Sequence, residues 1–436
     1  LRAPARAGNV LSRTAGPLLR LLSAEAVERL VTMGGSRALA AVLGFVATIL
    51  IARALEPTTL GLWSMALAVQ GLAVHLAEAG LRSVAVAEVA RTPSLAGVYV
   101  RRIVVLRLLI STAVITAAGL VARRWSLGDW PITCLVLSSL WPIALQLDWL
   151  PLAQGRNRLA AVLLLARTTA FCLLLVIVPL AGDPLRLAVL FVAAWWVAAV
   201  VTWPCLGLMP DRPPVREDAL GLLRLLRLAL PIAFGTFASQ VLLGLDILLV
   251  GARFGPAAAA FYYLASAILV AGLVLANGLG QTALARMATR TAEPAAFRTA
   301  LGADLRLVIS LALILAVTAA SLAPFLLPLA FGPAYAAATA LLLWLLPWFV
   351  LTQATTVLQA AMAAGRLGDW LVVANSWLLG THVVALGVAW WLSDLRAFAL
   401  ARGMAELVRL VVLWRLLPAP LRPSDQLLPF KSAPRA

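Results

Sequence analysis

Stretches of about 20 apolar residues alternate with short clusters of charge along the whole chain, and this spacing limits the folds available to it. At ~1.5 Å of rise per residue, such a stretch makes a helix that spans the roughly 30 Å hydrocarbon core of a bilayer. Twelve stretches can be marked, at about 31–52, 60–80, 103–122, 131–153, 159–180, 185–208, 228–252, 258–280, 305–330, 335–360, 370–393 and 395–417. With 63% hydrophobic and 12% charged residues, a water-soluble fold could not cover so much apolar surface. Lipid offers no partner to a bare peptide group, and an α-helix satisfies its own. The expectation is an all-α integral membrane protein of about twelve transmembrane helices.

The first half is echoed in the second. Leu43-Gly44 returns as Leu243-Gly244, Ala52-Arg53 as Ala252-Arg253 and Pro57 as Pro256. Arg91-Thr92 returns as Arg290-Thr291, Leu106-Arg107-Leu108 as Leu305-Arg306-Leu307 and Ile110-Ser111 as Ile309-Ser310. A nearly constant offset across three apolar stretches points to two related lobes, and repeats of this kind are typical of secondary transporters. The expected organisation is a tail at 1–24, a six-helix lobe at 25–208, a linker at 209–226, a second six-helix lobe at 227–417 and a tail at 418–436. The linker signal is the proline-rich, charged run Met209-Pro210-Asp211-Arg212-Pro213-Pro214. The chain does not begin with Met, and residues 1–24 carry Arg2, Arg6, Arg13 and Arg20 without a clear apolar core, so they read as a tail and not as a cleaved signal.

Orientation follows from the loops. Counted on alternate sides, one side holds 22 Lys and Arg and the other 7, which puts both termini in the cytoplasm by the positive-inside rule. The net charge of +17 has no basic soluble domain to carry it, so nucleic acid is not an expected partner and anionic lipid headgroups are. No loop approaches the roughly 50 residues of a domain, and no Walker A sequence occurs, so neither an extramembrane catalytic domain nor direct use of ATP is expected. Cys134, Cys172 and Cys205 stand singly in apolar stretches, and His75 and His382 have no partners at metal spacing. No metal, cofactor or nucleophile–base pair is expected, hence no enzyme.

Charge inside a span is costly and marks candidate sites. Arg167 lies nine residues beyond Arg158, ~13 Å deep and near the midplane, where it should face the interior. Arg37 follows Met33-Gly34-Gly35-Ser36, small residues that let helices or a headgroup approach closely. Arg107 and its repeat mate Arg306 sit about one turn into their helices and either snorkel to headgroups or face a cavity mouth. Gln146, Asn277, Gln281 and Gln353 are polar candidates for the cavity lining. Asp148 and Asp246 are candidates for ion coupling, or partners of buried Arg. Glu78 with Arg82, and Glu406 with Arg409, have the spacing of intrahelical ion pairs. Trp141, Trp149, Trp195, Trp196, Trp344 and Trp348 either stack on sugars or sit in the interfacial belt.

Two stretches carry a resemblance. They are Ala52-Arg53-Ala54-Leu55-Glu56-Pro57 with Leu60-Gly61-Leu62-Trp63-Ser64 and Ala79-Gly80-Leu81, and Asp246-Ile247-Leu248-Leu249-Val250-Gly251 with Gly255, Tyr262 or Tyr263 and Ala265. This pattern resembles that of the oligosaccharide-repeat-unit flippases (Wzx-type) of the multidrug/oligosaccharidyl-lipid/polysaccharide exporter superfamily, over 31–417. The resemblance implies two pseudo-symmetric six-helix lobes around a V-shaped cavity that opens alternately to each side. It implies a polyprenyl-pyrophosphate-linked oligosaccharide as cargo, flipped to the outer leaflet of a bacterial inner membrane for O-antigen or exopolysaccharide synthesis. The polysaccharide polymerase machinery is then an expected partner. A cationic cavity suits this cargo, because buried Arg stays charged and offers phosphate a planar fork of donors. A multidrug or cation antiporter of the same superfamily would need cavity acids, and this chain has more internal Arg than internal Asp or Glu. A lipid II flippase is the other alternative; the extra C-terminal helix pair of those proteins is not found, and span one offers only Arg37.

Overall fold

The computed structural model describes residues 34–125, 129–208, 221–288, 293–365 and 367–418. The tails at 1–24 and 419–436 and most of the linker lie outside them, as do the side chains of Asn277 and Gln281. Among the described residues the secondary structure is helical: α1 (Gly35–Ala54), α2 (Pro57–Glu78), α3 (Leu81–Arg91), α4 (Ala96–Arg124), α5 (Trp130–Leu137), α6 (Leu140–Leu145), α7 (Trp149–Ala153), α8 (Asn157–Ile177) and α9 (Pro184–Thr202) precede the linker. After it come α10 (Leu222–Phe254), α11 (Pro256–Ala288), α12 (Pro294–Phe331), α13 (Ala338–Ala364), α14 (Gly368–Leu392) and α15 (Leu395–Leu416).

The turns are set by local chemistry. Proline opens α2, α9 and α12, where a missing N–H costs nothing. The carboxylates of Asp129, Asp183 and Asp394 cap α5, α9 and α15. Gly255, at φ 89°, turns the chain straight from α10 into α11.

Among the described residues ten segments are long and apolar enough to cross a membrane, which makes this a multi-pass membrane protein. The two expected spans not among the ten are α10 and α15. For α15 the reason is the charge of Arg396, Arg402, Glu406, Arg409 and Arg415. Large apolar side chains such as Leu109, Val176, Ile177, Val317 and Trp391 point outward, as lipid-facing residues do.

The expected fourth span is broken into α5, α6 and α7. Pro142 and Pro151 each remove a helical donor. At the second break Gln146 turns extended, its carbonyl accepts from Arg107 at 3.4 Å, and the N–H of Leu147 donates to Thr202 Oγ1 at 3.1 Å. Irregular backbone at this depth persists because side chains satisfy it.

One core joins the two lobes in the half of the bundle where α1 ends, called here the far side. Trp63, Phe191 and Leu187 of the first lobe share it with Leu248, Tyr262, Tyr335 and Phe398 of the second. On the near side, where α1 begins, the core divides. Leu81, Tyr99, Ile103 and Trp149 form one cluster, and Met287, Phe297, Val357 and Leu413 another. Leu225 and Ala229, near the start of α10, belong to the first-lobe cluster, so that turn of α10 packs with the lobe before it.

Candidate functional site: an arginine-lined cavity in the first lobe

The break in span four builds the site. It leaves Gln146 and Asp148 beside α1, α3, α8 and α9 on a cavity of about 280 Å³. Arg37, Arg82, Arg167, Thr168, Trp195 and Thr202 also line it. Three guanidiniums face a single carboxylate, a formal charge of +2 among the described lining residues. Asp148 Oδ2 accepts from Arg82 Nη2 at 2.7 Å. The Arg167 guanidinium lies over the Trp195 ring at 4.6 Å, and its hydrogen bond is a long one, 3.4 Å to Thr168 Oγ1. Stacking on an aromatic face holds a guanidinium in place while leaving its edge donors free. Arg37 is exposed on the first turn of α1.

Behind this cavity the charges alternate. Arg107 is buried and donates through Nη2 to Glu78 Oε1 at 3.1 Å. It also sits in the field of Asp148 and Arg82. Snorkelling does not describe Arg107: it points into the lobe and props the break at Gln146. Its repeat counterpart Arg306 is exposed on α12, so the two occupy unlike environments. Glu78 and Arg82 do not pair with each other. Ala79 and Gly80 adopt left-handed φ of 44° and 69°, which puts the two residues on different helices and removes the i,i+4 geometry.

The second lobe holds a different arrangement. Asp246 on α10 is fully buried and grips Arg402 of α15 with both oxygens: Nε reaches Oδ2 at 2.9 Å and Nη2 reaches Oδ1 at 2.8 Å. Tyr262 donates to Oδ2 at 2.6 Å, and Arg402 also reaches Ser266 Oγ at 3.2 Å and the Leu243 carbonyl at 3.3 Å. The Tyr262 and Trp348 rings lie over the same guanidinium at 5.3 and 4.8 Å. Nearby, Glu406 accepts from Arg409 at 3.3 Å, as expected from the sequence, and from Thr355. His382 is buried against the Asp246–Arg402 pair, and His75 bonds the Gly71 carbonyl of its own helix at 2.8 Å, so both are packed histidines.

Of the candidates read from sequence, Arg37, Arg167, Gln146 and Asp148 converge on one cavity, with Arg82 added. Arg107 stands directly behind it. Gln353 is buried on α13 and Asp246 on α10, in the other lobe. Arg402 is not among the candidates read from sequence, yet it is fully buried inside α15. Its spacing from Glu406 and Arg409, on one helix face, was the signal available.

The lobes meet along α2. A Cβ on Gly61 would stand 1.7 Å from the Pro256 carbonyl oxygen, and one on Gly251 would stand 2.4 Å from Met65 Sδ. Close approach of backbones at small residues is how membrane helices gain packing. On the far side each lobe also caps a helix end of the other. Arg53 donates to the Leu329 and Ala330 carbonyls at 2.6 and 2.8 Å, and Tyr335 donates to the Leu55 carbonyl at 2.7 Å. These bonds tie the two lobes together on the far side.

Comparison with known proteins gives one family and one fold. The family described as polysaccharide biosynthesis protein matches residues 31–288. No curated protein sequence matches the chain. Among solved structures, the inward-facing conformation of a multidrug resistance MATE family transporter of the MOP superfamily aligns with a TM-score of 0.67 and 13% identity, over 87% of this chain and 96% of that one. The inward closed conformation of the lipid II flippase MurJ aligns with a TM-score of 0.71 and 10% identity, over 88% and 87%.

Proposed function

The chain belongs to the polysaccharide biosynthesis protein family and has the fold of MOP-superfamily transporters, and from that premise we propose that it flips polyprenyl-pyrophosphate-linked oligosaccharide repeat units by alternating access. The movement runs from the cytoplasmic to the outer leaflet of a bacterial inner membrane and serves O-antigen or exopolysaccharide synthesis. The observation that carries the reading is the first-lobe cavity, where Arg37, Arg82 and Arg167 face one carboxylate among the described lining residues. A pyrophosphate is the group such a surplus of guanidinium recognises, by charge and by paired donors. At about 280 Å³ the cavity falls just below the roughly 300–1,000 Å³ of ordinary ligand sites, so it fits a headgroup and not a whole lipid-linked glycan. The glycan then crosses in the space between the lobes, and the lipid tail stays in the bilayer.

The near side, where α1 begins and most Lys and Arg lie, is assigned to the cytoplasm. With the lobes tied together on the far side and the near-side cores separate, this conformation would receive cargo from the cytoplasmic leaflet. The test is export of the finished glycan. Arg167→Ala and Arg37→Ala are each expected to cut it at least tenfold at unchanged protein level. Full export from both variants would reject the cationic-cavity reading.

A further inference from the structure

Asp148 is the feature this reading does not use. Among the described lining residues it is the one acid, and it occupies Arg82 at 2.7 Å. The pair can be reached from the cavity: the Arg82 side chain is 37% exposed and that of Asp148 12%. The remaining charges that face it are Arg107 from behind, with Glu78 beyond it, and Arg37 and Arg167 across the cavity.

Resting on the flippase reading, we propose that Asp148 is a tethered counter-anion. It holds Arg82 while the cavity is empty and gives it up when a phosphoanhydride headgroup arrives. Two consequences follow from the geometry. The empty site is spared an unbalanced third guanidinium, since like charges in a partly dry cavity repel strongly. The bound headgroup is also held less tightly than three free arginines would hold it, because each binding event must break the Arg82–Asp148 pair. A carrier needs that weakness in order to let go of its cargo. Asp148 can swing because it sits at the break between α6 and α7, where its neighbour Gln146 is already out of helical geometry.

The test uses the full chain in nanodiscs with inorganic pyrophosphate as probe, titrated calorimetrically. Asp148→Asn keeps the shape and an acceptor oxygen but removes the charge. It is expected to tighten pyrophosphate about tenfold relative to the unsubstituted protein. Arg82→Ala is expected to weaken it, and in the Arg82→Ala background Asp148→Asn should give no gain, because the competition is for Arg82 itself. Asp148→Ser provides the same comparison should the Asn variant fold poorly. Unchanged or weaker binding in Asp148→Asn overturns the proposal. So does an equal gain with and without Arg82, which would mark a diffuse field effect, and so does absence of binding in every variant. The two readings fail separately. Loss of export in Arg167→Ala with no tightening in Asp148→Asn removes the counter-anion and leaves the flippase. Tightening with intact export in Arg37→Ala and Arg167→Ala leaves an anion site and removes the cationic-cavity reading of transport.

Discussion

Arg402 and Arg167 show how one residue type serves two ends. Arg402 has its charge met by both oxygens of Asp246 and its faces covered by Tyr262 and Trp348, with no side-chain exposure at all. Such a pair contributes specificity more than stability, because desolvation offsets most of the attraction. Arg167 is stacked but not neutralised, and its edge faces the cavity. Substitution separates the two roles. Arg402→Met should destabilise the protein by about 3–5 kcal/mol, since it strands Asp246 as a buried unpaired charge. Asp246→Leu added to Arg402→Met should recover most of that loss, read from thermal unfolding of the purified protein. A double variant no more stable than the single one would mean that the pair itself, and not the stranded acid, is what matters. Arg167→Ala, by contrast, should leave unfolding close to unchanged.

At the scale of elements, α2 is the seam of the molecule, because it packs on α4 and α5 of its own lobe and on α10 and α11 of the other. Gly61 allows the last of these contacts. Gly61→Val must push Pro256 away, and overpacking of this kind costs about 1–3 kcal/mol. The closed far side should then lose about 5- to 150-fold in population relative to the open one. A cysteine introduced at the buried Ala260 of α11 reports this, through faster labelling by a membrane-impermeant thiol reagent added from the far side. An unchanged labelling rate at equal protein level would show that Gly61 does not control the closure. Much of the element structure could be read in advance. The spans expected to start at about 60, 185, 258 and 395 lie within a few residues of the helices that open at Pro57, Pro184, Pro256 and Leu395, where proline and capping chemistry act locally. The break of span four was present in Pro142, Gln146 and Pro151 but was hidden by the apolar residues around them. Ion partners were the least legible. Glu78 with Arg107, Arg82 with Asp148 and Asp246 with Arg402 each join residues far apart in sequence, and intrahelical spacing says nothing about such pairs.

For the whole molecule, the helices before the linker and those after it share a core on one side and have separate cores on the other, the arrangement that the proposed alternating access would use. Positions matched by the sequence echo make unlike contacts. Arg53 latches the lobes together across the far side, whereas its repeat mate Arg253 bonds Ser393 within the second lobe. The cationic cavity belongs to the first lobe, and among its described residues the second lobe holds the fully buried Asp246–Arg402 pair. The account stands or falls on the leaflet in which cargo waits. The direct measurement is mass spectrometry of polyprenyl-linked sugars, with leaflet-selective labelling, in cells from which this gene has been removed. The account predicts complete lipid-linked repeat units accumulating in the cytoplasmic leaflet. No accumulation, with glycan still reaching the outside, would contradict it.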